Sequence, residues 1–143
     1  MSLFHLLSVS ASGMTAQRTR AEVIVENLAN AESTHTAEGG PYQRKSVNFA
    51  AEQQGSPFSR HLADANMPRG VNALKTLDST RTPERRFSPG HPDADKDGYV
   101  MLPNINVAEE MVDLMGATRG HQANAAAMSA VKDMIQKSLE LFR

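Results

Sequence analysis

The placement of proline constrains this chain more than any other feature. All seven prolines fall between residues 41 and 103, and six of the nine glycines fall between 39 and 98. Proline removes a backbone donor and clashes with the preceding helical turn, so no long helix survives there. The two ends are free of it. Over residues 3–30, Leu3, Leu7, Met14, Ala21, Ile24 and Leu28 keep one line of three-and-four spacing, with Ser10 and Gln17 as its weak positions. This predicts an amphipathic helix fading near Asn30, ahead of a Ser/Thr/Gly stretch. Residues 107–143 repeat the pattern with Val107, Met111, Leu114, Ala125, Met128, Ile135, Leu139 and Phe142, interrupted by Thr118, His121 and Lys132. Pro103 lies just ahead, and Asn106 followed by Glu109 reads as an N-cap with a carboxylate three residues on.

Between the helices, Gly39-Gly40-Pro41 is a turn signal leading into a strand over 42–49, and 99–102 reads as a second strand. Residues 50–70, rich in Ala, Gln, Ser and Asn, read as a loop. The expected fold is mainly α: long N- and C-terminal helices with a small β or irregular middle. The expected division is 1–32, 33–103 and 104–143, two helical ends around a β or loop middle. At 143 residues there is room for one modest domain. Aromatics are 5% and Trp is absent, while Met numbers 8 and Ala is abundant, which favours helix-to-helix packing over a compact globule.

At 1.5 Å per residue the helices would reach roughly 40 and 55 Å. A lone pair of that length leaves apolar surface with no internal partner, and neighbouring copies would cover it. Gly116, Gly120 and the alanines at 123, 125, 126, 127 and 130 add a face that another backbone can approach closely. Arg119 and His121 beside Gly120 speak against a membrane reading of that spacing. An ordinary helical hairpin with a tolerant core is the alternative.

Function classes narrow by elimination. A net charge of −1 offers no field for nucleic acid or an anionic membrane, and the basic stretch 69–86 has no aromatics arranged for base stacking. No apolar run approaches the ~20 residues of a membrane span, and the N-terminus lacks the basic start of a cleaved signal peptide. Cysteine is absent, which removes disulfides, thiolate metal sites and thiol nucleophiles. Asp93-Ala94-Asp95-Lys96-Asp97-Gly98 matches the first half of a calcium loop. Its twelfth position falls on Asn104 rather than Glu, and Pro89, Pro92 and Pro103 forbid flanking helices, so an Asx-rich turn is the stronger reading. His91 belongs with that turn. The histidines show no HExxH pairing, and neither a nucleophile elbow nor a phosphate loop is present. Glu109 and Glu110 suit a helix N-terminus. No enzyme and no cofactor are expected.

Several motifs coincide with a known family. Ser12-Gly13-Met14 with Ala16, then Asn27-Leu28-Ala29-Asn30-Ala31 running into Ser33-Thr34, resembles the N-terminal signature of the flagellar axial proteins, the rod, hook and hook-associated subunits. Gly39-Gly40-Pro41-Tyr42-Gln43-Arg44-Lys45, Pro89-Gly90-His91-Pro92-Asp93-Ala94-Asp95, Gly98-Tyr99-Val100, Pro103-Asn104-Ile105-Asn106, and Glu110-Met111 with Asn124 are similar to the family's basal-body rod members. The resemblance covers 1–49 and 83–143, and departs from the family pattern at Gln43 and His121.

The resemblance implies terminal helices paired in a coiled-coil layer and stacked helically into a hollow rod that crosses the periplasm, transmits torque and lines an export channel. It implies export by the flagellar type III apparatus without a cleaved signal. Partners would be other copies of the chain, proximal-rod neighbours, the distal rod, the MS-ring adaptor and the export apparatus, with no nucleic acid and no direct membrane insertion. The assembly residues would be Leu3, Leu7, Met14, Ile24, Asn27, Leu28, Asn30, Met111, Leu114, Asn124, Met128, Ile135 and Leu139. Asn27, Asn30 and Asn124 would fix register through their amides, or Asn27 and Asn30 would simply end the first helix.

Overall fold

The structure is a computed structural model that describes residues 3–37, 39–52, 69–77 and 82–141. Most of the loop expected over 50–70 lies outside those residues, as do Phe142 and the first two residues. The elements in chain order are helix α1 (Leu3–Ala29), strands β1 (Lys45–Ala51), β2 (Val71–Leu77), β3 (Glu84–Phe87) and β4 (Tyr99–Leu102), and helix α2 (Val107–Leu141). The architecture is mainly α with two small β pairs.

Both helices begin or end where side-chain chemistry marks them. Asn106 Oδ1 accepts from the amides of Ala108 at 3.0 Å and Glu109 at 3.4 Å, the N-cap geometry its position predicts. At the other helix, the Asn30 amide and Nδ2 both donate to the Glu26 carbonyl, at 3.1 and 2.9 Å. Ser33 Oγ then donates to Asn30 Oδ1, closing the turn that ends α1. Gly39 and Gly40 follow with φ of 89° and 79°, a left-handed pair that only glycine adopts without strain. The turn brings the Tyr42 amide back to the Ser33 carbonyl at 3.2 Å, so the chain re-enters beside the end of α1.

The middle holds two strand pairs, β1 with β2 and β3 with β4. The β3–β4 pair is antiparallel, with Glu84 opposite Leu102 and Phe87 opposite Tyr99. Its connection contains the Asx-rich segment: the Gly98 amide donates to Asp95 O, the Asp95 amide donates to Tyr99 O, and Gly98 has φ of 77°. The His91 Nδ1 accepts from the Asp93 amide within the same turn.

The chain forms two compact units, each using parts of both helices. One comprises 1–19, 48–74 and 116–143. Its buried apolar residues are Ala16, Ala117 and Val131, small side chains that let backbones approach closely. Gly13 faces the Asn124 amide, and Gly120 faces Gln17, so the helix segments of this unit run antiparallel. Ser12 Oγ donates to the Val9 carbonyl and accepts from the Val71 amide at 3.0 Å, tying the start of β2 to α1. The other unit comprises 20–47 and 75–115. Val23, Ile24, Val100 and Leu102 form its apolar core, and Asn27 and Glu110 are buried among them. Here too α1 and α2 run antiparallel, through the Arg20–Asp113 and Asn27–Glu110 pairs.

Candidate functional site

The second unit is organised around a side-chain amide. Asn27 is 1% exposed and sits one helical turn after Val23 and Ile24, so its position on α1 forces it into the core. A buried amide must find partners for two donors and two acceptor sites, and Asn27 does. Its Nδ2 donates to Lys45 O at 2.8 Å and to Glu110 Oε2 at 3.2 Å. Its Oδ1 accepts from the Lys45 amide at 2.9 Å and from the Tyr42 hydroxyl at 3.1 Å.

Glu110 is equally buried, and burying a carboxylate is costly without a cation. Arg44 supplies it, with Nε and a terminal guanidinium nitrogen each 2.7 Å from Glu110 Oε1. Lys45, just after Arg44, pairs its ammonium with Glu26 on α1 and lies 5.7 Å from the Tyr42 ring centroid. Burial, then Glu26 and Glu110, push the Tyr42 phenol up to about 12, so it stays a neutral donor to Asn27.

These groups make a lock rather than a reaction centre. Every polar atom of Asn27 is committed to a hydrogen bond, and the carboxylate of Glu110 is held by Arg44 and Asn27. The cavity lined by both Asn27 and Glu110 holds only ≈ 90 Å³, below the ~300 Å³ at which small-molecule sites begin. What the arrangement does is join α1, the entry to β1 and the first turn of α2.

A second feature is the outward apolar surface of α2. The buried residues of this helix are Glu110, Ala117 and Val131, whereas Val107, Met111, Val112, Met115, Met134, Leu139 and Leu141 are exposed. Met111 is 54% and Leu139 67% exposed. Leu114, Met128 and Ile135 are half-buried on the inward side of α2, while Met111 and Met115 stand outside it. Of the thirteen residues expected to serve assembly, Ile24 and Asn27 are buried, and Met111 and Leu139 are exposed. Leu3, Leu7, Met14, Leu28, Asn30, Leu114, Asn124, Met128 and Ile135 are half-buried. Asn124 donates to the Gly120 carbonyl at 2.9 Å beside Gly13, and Asn30 ends α1.

Sequence reasoning missed Arg44 and Glu110 as partners. A signal was available: Glu110, Leu114 and Ala117 share one helix face, and a carboxylate on a buried face requires a cation from elsewhere.

The chain is similar to known flagellar proteins along its whole length. Residues 96–141 match the family described as "Flagellar basal body rod FlgEFG protein C-terminal". The flagellar basal-body rod protein FlgC of Bacillus subtilis is 39% identical over 150 residues, covering 99% of each chain. FlgC of Borreliella burgdorferi is 36% identical over 152 residues, covering 100% of this chain and 99% of that protein. FlgC of Salmonella typhimurium is 35% identical over 141 residues, covering 99% and 98%.

Proposed function

Given that this chain belongs to the family of the flagellar basal-body rod protein FlgC, we propose that its terminal helices carry its assembly. The chain is a structural subunit of the flagellar basal-body rod. The full-length similarity carries that assignment. On our reading, residues 1–32 and 104–143 form a coiled-coil layer, and copies stack helically around an export channel.

The exposed apolar residues of α2 support this reading. Val107, Met111 and Met115 follow each other at one-turn intervals and stand in water in the single chain. Against a neighbouring helix they would be covered, and hydrophobic burial would drive the contact. The Asn27–Glu110–Arg44 lock then has a mechanical role. It fixes α1 to α2 and to the middle of the chain, so torque applied to one element passes to the others. No step of this function needs catalysis or a cofactor.

The same reading gives the partners: other copies, proximal-rod neighbours, the distal rod, the MS-ring adaptor and the type III export apparatus. It places the chain in the periplasmic part of the rod, exported without a cleaved signal. The test is to purify hook–basal bodies from the native bacterium and locate the chain by mass spectrometry and subunit labelling. Presence in the rod fraction is expected. Absence from complete basal bodies would remove the assignment.

A further inference from the structure

In the unit formed by 1–19, 48–74 and 116–143, the two helices meet through reciprocal contacts. Gly13 of α1 lies against the Asn124 side chain of α2, and Gly120 of α2 lies against the Gln17 side chain of α1. Each helix offers one glycine and, one turn later, one amide. Because the segments run antiparallel, each amide seats on the other helix's glycine.

The fit is tight. A Cβ at Gly13 would stand 3.0 Å from Asn124 Oδ1, and one at Gly120 would stand 3.0 Å from Gln17 Cδ. Asn124 is tethered in its seat, since its Nδ2 donates to the Gly120 carbonyl at 2.9 Å. Gln17 Oε1 is buried with no hydrogen-bond partner among the described residues. Such an oxygen is held in place by packing, so the room that Gly120 leaves decides where the Gln17 amide lies. The buried apolar residues beside these seats are Ala16 and Ala117. Helix separation follows the size of the side chains at the contact, and here they are methyl groups and bare backbone.

Glycine weakens a helix relative to alanine, so its presence at this crossing costs both helices intrinsic stability. The compensation is a short separation. Gly116, one turn before Gly120, shows that glycine alone makes no seat: outside its own stretch of helix, no atom of the described residues lies within 4 Å of a methyl added there.

We propose that Gly13 and Gly120 are spacing residues: by seating Asn124 and Gln17 they hold α1 and α2 at the close separation that lets the helix pair fit among neighbouring copies in the rod. In a layer repeated from copy to copy, a widening within one subunit recurs at every joint. The proposal rests on the rod assignment and names residues through which the subunit's own shape decides its incorporation.

Gly13→Ala and Gly120→Ala are each made as the cell's only copy, and the chain is quantified in purified basal bodies by mass spectrometry. A severalfold loss from the rod is expected while the purified variants keep near-native thermal stability, because the gain in helix propensity offsets the crowded seat. Trimming the seated amide restores incorporation in matched pairs, Asn124→Ala with Gly13→Ala and Gln17→Ala with Gly120→Ala. The mismatched pairs, Gln17→Ala with Gly13→Ala and Asn124→Ala with Gly120→Ala, stay depleted. Should a single variant fold poorly, matched rescue against mismatched failure still reads the seat. Native-level incorporation of both single variants, a loss that the matched pairs do not relieve, or equal rescue by matched and mismatched pairs overturns the inference and leaves the rod assignment standing. A native chain missing from complete basal bodies removes the rod assignment and this role with it.

Discussion

The side chain of Asn27 pairs with Lys45 as one strand edge pairs with another, donating to its carbonyl at 2.8 Å and accepting from its amide at 2.9 Å. A helix residue thereby satisfies the backbone at the entrance of β1. Asn27→Ala would leave the Lys45 peptide, the Tyr42 hydroxyl and part of Glu110 without partners, at a cost of about 3 kcal/mol. Asn27→Asp should cost more, because a second carboxylate would face Glu110 Oε2. Urea unfolding followed by circular dichroism measures both. A loss under ~0.5 kcal/mol for Asn27→Ala would mean that water replaces the amide without penalty.

The Arg44–Glu110 pair predicts strong coupling. Glu110→Gln leaves the guanidinium facing a neutral amide, and breaking such a buried pair costs about 3 kcal/mol. The double variant Arg44→Met with Glu110→Leu should recover much of that loss, since two apolar groups remove the charges together. Simple additivity of the single changes in a double-mutant cycle would show that the two residues act independently.

Tyr42 makes stability depend on alkaline pH. Its phenol is raised from 10.0 to about 12 by burial, then by Glu26 and Glu110. The folded chain holds that proton more tightly than the unfolded chain, so the contribution is whole below pH 10 and is lost as pH rises through about 12. In a Tyr99→Phe background the phenolate absorbance should appear well above pH 10 and shift down on unfolding in urea. An identical titration in both states would contradict the placement of Tyr42 against Asn27.

Gly98 is fixed by the hairpin connection. It has φ of 77°, and an added Cβ would lie 3.0 Å from Phe87 Cε2 and 3.2 Å from Pro89 Cβ. Gly98→Ala should cost about 1–2 kcal/mol from the left-handed backbone alone. Gly90→Ala is the control, because nothing lies within 4 Å of its added methyl. Equal thermal stability of the two variants would show that the connection relaxes freely.

The elements that depend on local chemistry were readable from the residues. The two proline-free ends became α1 and α2 within a residue or two of their expected limits, and Asn106 caps α2 as its position suggested. The strand at 99–102 also appears as read. The strand expected over 42–49 begins later, at Lys45, because the Tyr42 amide is spent on the Ser33 carbonyl in the turn and its hydroxyl is held by Asn27. What escaped was set by partners distant in sequence. Glu84-Arg85-Arg86-Phe87 has neither apolar alternation nor β-branched residues, and only its register against Tyr99–Leu102 makes it a strand. β2 likewise owes its place to β1 and to the Ser12 hydroxyl. The site divided in the same way. Asn27 stood out through its motif, whereas Glu110 passed for a first-turn carboxylate until Arg44 was seen beside it.

The central claim is that the exposed helix faces are reserved for neighbouring subunits. Met111 tests it most directly, since it is exposed in the single chain and its replacement leaves the buried core untouched. Cells making only the Met111→Asp variant should produce and export a chain of native stability that is missing from purified rods, and they should be non-motile. Quantifying the chain in isolated basal bodies by mass spectrometry decides it: depletion of the variant is predicted, and incorporation at the native level would contradict assembly through this face.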